Sequence, residues 1–136
     1  MNDCFEISLP ENDIRAISML GLAHVGDAVY ELLVRTRLCV TGGLTAGRMH
    51  ADAVRCVSAP AQARAASRIL PLLTPEEMEL YKRGRNTRVH SVPGHATLEE
   101  YHAATGLEAL FGALYLRGER QRIGELFDRI MEGEDD

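Results

Sequence analysis

No apolar run in the 136 residues approaches the ~18 that a membrane span requires, and the N-terminal stretch MNDCFEISLPEND lacks the basic-then-apolar order of a signal peptide. The expectation is a soluble, cytoplasmic chain. The three cysteines, Cys4, Cys39 and Cys56, are odd in number and far apart, with no CxxC pair. That spacing argues against a zinc knuckle or a CxxC redox motif and favours reduced thiols, with Cys56 packed. There is no Walker loop, no GxGxxG, no HExxH and no GxSxG. No segment alternates with period two, and no internal repeat or low-complexity tract occurs. With 46% hydrophobic residues, the chain is expected to form one compact all-α domain over 1–136. Its core spans about 18–131, and the acidic tail from Glu132 is expected to be flexible.

The net charge of −5 argues against a nucleic-acid partner, because a phosphate backbone repels an acidic surface. The distribution of charge reverses that argument. Residues 35–88 carry ten arginines and lysines against four acids, while both flanking segments are strongly acidic. A basic middle third either balances its neighbours as a solvated face or binds phosphate beside a carboxylate site.

Helical spacing of Leu22, Val25, Val29, Leu32 and Leu33 predicts a helix from Ser18 to about Leu38, closed by Gly42 and Gly43. Thr45 caps the next helix, and Ser58 with Pro60 opens a third that Pro71 stops. The capping-box patterns at Thr74 and Thr97 open two more, the first ending near Arg83. In the later one, Leu107, Leu110, Phe111, Leu114 and Tyr115 form an apolar side; a final amphipathic helix follows Gly118. Residues 84–96, GRNTRVHSVPGHA, read as a basic loop that is mobile without a ligand.

Carboxylates and arginines are then the working groups. Asp27 follows Gly26 inside a Leu/Val-rich helix, where a glycine costs roughly 0.5–1 kcal/mol relative to alanine. Close approach by another helix would explain it. Glu108 stands among Ala104, Gly106, Ala109, Gly112 and Ala113, which make its helix narrow. Two helices packed at glycines would bring Asp27 and Glu108 to one point, and Mg²⁺ takes oxygen ligands of that kind. An isolated carboxylate on a helix is ordinarily solvated, so spacing alone leaves the pairing open.

Four motifs in order add a resemblance. HVGDAVYELLVR (24–35) resembles the signature helix of the ribonuclease III family, and GLEALFGALYL (106–116) resembles the family's second motif. VSAPAQA (57–63) and RGRN (83–86) make the likeness strongest to its Mini subfamily, which has no double-stranded-RNA-binding domain. The resemblance implies that Asp27 and Glu108 are the catalytic carboxylates that hold Mg²⁺, with Mn²⁺ as a substitute. The larger family has further acids where this chain has Ala23 and Thr105, losses that the Mini subfamily shares. Glu31 and Thr105 are candidates to support the site from behind.

The function so implied is Mg²⁺-dependent hydrolysis of double-stranded RNA by a homodimer, leaving a 3′-hydroxyl and a 5′-phosphate. The substrate expected for the Mini form is the precursor of 23S ribosomal RNA. Arg83, Arg85, Asn86 and Arg88 are the candidate RNA contacts, with Arg48 and His50 as weaker ones. Two rivals remain at this point: a catalytically silent RNA-binding or assembly module on the same fold, and a helical protein-interaction domain with no RNA role.

Overall fold

The computed structural model describes residues 5–87, 94 and 96–135. Among these there are seven α-helices and no strand: α1 (Glu11–Arg15), α2 (Met19–Thr41), α3 (Ala46–Val57), α4 (Ala59–Ile69), α5 (Pro75–Arg85), α6 (Leu98–Leu116) and α7 (Arg120–Asp135), with a 3₁₀ turn at Leu70–Leu72. Every helix start marked by a capping residue is built as expected. The Ser18, Thr45 and Ser58 hydroxyls accept from the backbone N–H groups of Gly21, Arg48 and Ala61, and full capping boxes close at Thr74/Glu77 and Thr97/Glu100. These bonds satisfy N–H groups that a helix leaves unpaired in its first turn.

α6 is the axis of the fold. It packs against α2, α4, α5 and α7, and Leu107, Ala109, Leu110, Phe111, Ala113 and Leu114 are wholly excluded from solvent. The expected single apolar side is therefore too narrow: the helix is enveloped on nearly every side. Alanines and glycines between the large residues let neighbours approach from all directions. Tyr30 on α2 meets Phe111 and Phe127 edge-on, with ring centroids 5.5 and 5.8 Å apart, and ties α2, α6 and α7 into one core.

The packed body begins before residue 18. Ile14 on α1 is buried in the core, the Leu9 N–H donates to the Leu116 carbonyl at 2.7 Å, and Glu11 takes a bidentate pair of bonds from Arg117. At the other end α7 stays helical to Asp135, so the tail from Glu132 continues a helix rather than leaving it. α5 also runs further than expected, through Gly84 to Arg85. Gly84 is buried against α6, where a Cβ would stand 2.9 Å from the Ala109 Cβ and 3.0 Å from the Gly106 Cα. It is a helix contact and not the flank of a loop. Arg88 to Pro93 and His95, which the expected loop included, lie outside the described residues, as does Cys4. Cys39 and Cys56 form no disulfide among the described residues, and Cys56 packs against the core.

Glu77 is buried and is satisfied twice. It closes the α5 capping box and receives two bonds of 2.8 Å from Arg122 on α7. The Arg122 guanidinium holds its carboxyl below the usual range, as a buried acid requires if it is to stay ionised.

Candidate active site

The crossing of α2 over α6 is set by two glycines. A Cβ on Gly26 would collide with the carbonyl of Glu108, and one on Gly112 would collide with the carbonyl of Leu22. Each helix thus presses backbone on backbone into the other, closer than any side chain permits. Asp27 is the residue after the first contact, and Glu108 supplies that contact's carbonyl. Their carboxyl groups are brought close enough for Asp27 to raise the Glu108 pKa.

Glu108 is the only charged residue between Ala104 and Leu116. Its pKa is pushed up to about 8, first by burial and then by Asp27, which both bonds to it and repels its charge. What opposes the rise is the amide of Gln62, not a basic side chain. Asp27, by contrast, is exposed, so the pair opens to solvent on the α2 side.

The donor set suits a hard divalent cation. Two carboxylates close together, one largely buried and without a basic partner among the influences on it, form a charge deficit that a cation would fill. Mg²⁺ takes one or two carboxylates and completes its shell with water and phosphate oxygens. No group of three or more His, Cys, Asp or Glu side chains capable of holding a metal occurs among the described residues.

The other residues singled out in the sequence have partners or surroundings of their own. Glu31, one turn along α2, is engaged by Arg35 at 3.0 Å. Thr105 is buried, and its hydroxyl donates to the Tyr101 carbonyl at 3.0 Å. Ala23 is buried and apolar. Neither position carries a carboxylate, and the Thr105 hydroxyl is engaged by a backbone carbonyl. Arg83 and Arg85 are not neighbours in space: Arg83 lines a crevice with Glu11, Glu76, Glu79 and Arg117. Arg85 lies over the Tyr81 ring at 5.8 Å, donates to the Asn86 side chain at 3.4 Å, and shares a hollow of about 520 Å³ with Asn86, Glu99 and His102. Arg48 is paired with Asp52 at 3.3 Å. His50 lines a smaller hollow with Arg35, Leu38 and Met49.

One residue at the site was not singled out in the sequence. Gln62 on α4 is 2% exposed, and its amide donates to Glu108 Oε2 at 3.4 Å and to the Val57 carbonyl at 3.0 Å. The available signal was a lone amide in an alanine-rich helix turn, within the run VSAPAQA.

The chain is similar to known proteins over most of its length. A family model described as the ribonuclease III domain matches residues 20–119. The Mini-ribonuclease 3 of Symbiobacterium thermophilum is 44% identical over 107 residues, covering 79% of this chain and 82% of its own. That of Enterococcus faecalis is 39% identical over 118 residues, covering 85% and 89%. A crystal structure of a Fusobacterium nucleatum protein superposes with a TM-score of 0.82 at 32% identity, covering 90% of this chain and 98% of that one.

Proposed function

From the premise that the chain belongs to the ribonuclease III family and is an endoribonuclease, we propose that it hydrolyses phosphodiester bonds of double-stranded RNA with Mg²⁺ held by Asp27 and Glu108. The precursor of 23S ribosomal RNA is the substrate we assign. The observation that carries the reading is the sole charge of the buried segment of α6, turned against a second carboxylate and left without a basic partner. When bound, the ion polarises a phosphoryl oxygen and lowers the pKa of a coordinated water.

The protein's own groups prepare that chemistry. Glu108 must give up its proton to serve as a ligand, so metal affinity falls as pH drops below about 8. Asp27, exposed beside it, presents the second anionic oxygen where a phosphate arrives from solvent. The rigid glycine contact keeps the two acids from drifting apart. Mg²⁺-dependent scission of a duplex, yielding 5′-phosphate ends, tests the reading; a protein that binds duplex RNA but never cuts it with Mg²⁺ or Mn²⁺ refutes it.

Both strands of a duplex require two sites, and a two-fold dimer supplies them. The face of α2 next to Asp27 favours this: His24, Ala28 and Leu32 are exposed there, and an apolar hollow of about 670 Å³ continues over Val25, Val29 and Tyr115. An exposed apolar surface of this kind marks an interface. Leu32 is 53% exposed, so Leu32→Glu should leave the fold intact. Its expected effect is a shift from dimer to monomer in sedimentation, with loss of double-strand cutting. Dimeric sedimentation of this variant at micromolar concentration would place the interface elsewhere.

Arg85 and Asn86 are the RNA contacts we assign at the C-terminal end of α5, since duplex RNA is bound through phosphate and 2′-hydroxyl groups. Arg85→Ala should weaken binding to all duplex sequences alike and flatten the salt dependence by about one unit of log–log slope. Arg83→Ala, already among carboxylates, should change the slope far less. Equal slope changes for the two variants, or none for Arg85→Ala, would count against this assignment.

A further inference from the structure

Three polar or charged residues are buried among the described residues: Gln62, Glu77 and Thr105. Glu77 is satisfied by Arg122 and its capping box, and Thr105 by a carbonyl one turn back. Gln62 differs, because its Oε1 is buried with no hydrogen-bond partner. A buried acceptor left unpaired is destabilising. Leucine at this position would avoid that cost.

The amide's orientation is fixed by its neighbours. Its NH₂ has two hydrogens, and the two groups it meets, the Val57 carbonyl and Glu108 Oε2, both accept. Turning the amide over would set oxygen against two acceptors, so the unpaired oxygen follows from serving both. Val57 is the last residue of α3, and Ser58 caps α4. Gln62 therefore ties the α3–α4 junction to the one acid of the buried α6 segment.

We propose that Gln62 is a positioning residue of the metal site, its amide holding the Glu108 carboxylate turned toward Asp27 so that metal affinity depends on it. The inference rests on the reading of Asp27 and Glu108 as Mg²⁺ ligands. Groups that orient a ligand in this way change metal affinity 10- to 100-fold when removed.

The test is a Mg²⁺ titration followed by thermal unfolding of the RNA-free protein, comparing wild type with Gln62→Leu and, as a more flexible apolar replacement, Gln62→Met. Both variants lose the unpaired oxygen but leave the Val57 carbonyl and Glu108 Oε2 without their donor, so the metal-free Tm is expected to stay the same or fall modestly. Their half-saturating Mg²⁺ concentration should rise about 10- to 100-fold. At saturating Mg²⁺ the KM for duplex RNA should be unchanged, because Gln62 is buried away from RNA. In the wild type, the Gln62 side-chain amide resonances should move during the titration with the same midpoint as the Tm, a readout that needs no folded variant. A wild type whose Tm ignores Mg²⁺ would overturn the ligand assignment itself. A wild type that responds, with variants of unchanged midpoint or with static Gln62 resonances, would overturn the role of Gln62 alone.

Discussion

Glu108→Gln is expected to abolish Mg²⁺-dependent cleavage, by roughly a thousandfold or more, and at the same time to stabilise the metal-free protein at alkaline pH. The two effects share a cause. Burial and Asp27 raise the Glu108 pKa from 4.5 to about 8, so the folded state favours the protonated acid. Its contribution to stability is complete below pH 4.5, declines as pH rises between 4.5 and 8, and is lost above 8. Glutamine keeps the volume and has nothing to ionise, so the variant's stability should be flat through that window. Unfolding midpoints of the two proteins should agree near pH 4.5 and separate in favour of the variant above pH 8. Mg²⁺ should raise the midpoint of the wild type and leave that of Glu108→Gln unmoved. Asp27→Asn should lose activity similarly, with a smaller stability gain, because it removes the repulsion and leaves the burial. Cleavage within tenfold of wild type in both variants would end the site assignment.

Gly26→Ala carries the largest expected loss of stability. The added methyl group has no side chain to push aside; it meets the backbone carbonyl of Glu108 and lies within 2.8 Å of the Gly112 nitrogen. Overpacking against movable side chains costs about 1–3 kcal/mol. Against a helix backbone the cost should reach or exceed the top of that range, a large share of the roughly 5–15 kcal/mol that holds a domain together. Urea unfolding at fixed protein concentration measures it. Gly47→Ala on α3 is the control, because a Cβ there meets nothing within 4 Å and alanine favours the helix by up to about 1 kcal/mol. The expected outcome is opposite signs for the two glycines. A Gly26→Ala protein within 0.5 kcal/mol of wild type, an estimate for a neutral surface change, would mean that α2 and α6 do not cross at this contact.

Much of the site was legible because its chemistry leaves local marks. A glycine inside an aliphatic helix is a cost that only a close contact offsets, and Gly26 sits beside Asp27 for that reason. Glu108 was conspicuous as one charge in a narrow run of small and apolar residues. Gln62 was not, since glutamine is a good helix former and carries no charge; its meaning comes from what lies opposite it, 46 residues away in the chain. Arg83 and Arg85, both candidate RNA contacts, face different surroundings for a geometric reason. Once α5 extends to Arg85, two residues apart on a helix point to different sides.

Sequence alone determined the all-helical class and the capped helix starts, because capping and periodicity act over a few residues. Local pattern left the pairing of the two carboxylates open, and only the family resemblance put Asp27 and Glu108 forward as ligands. Tertiary structure decided the rest. Only packing could envelop α6 on nearly every side and extend α5 through a glycine that fits against Gly106. Only packing could turn Glu108 into an acid that holds its proton to about pH 8. A pKa shift of that size arises from burial and from a charge on another helix, and neither is a property of neighbouring residues in the chain.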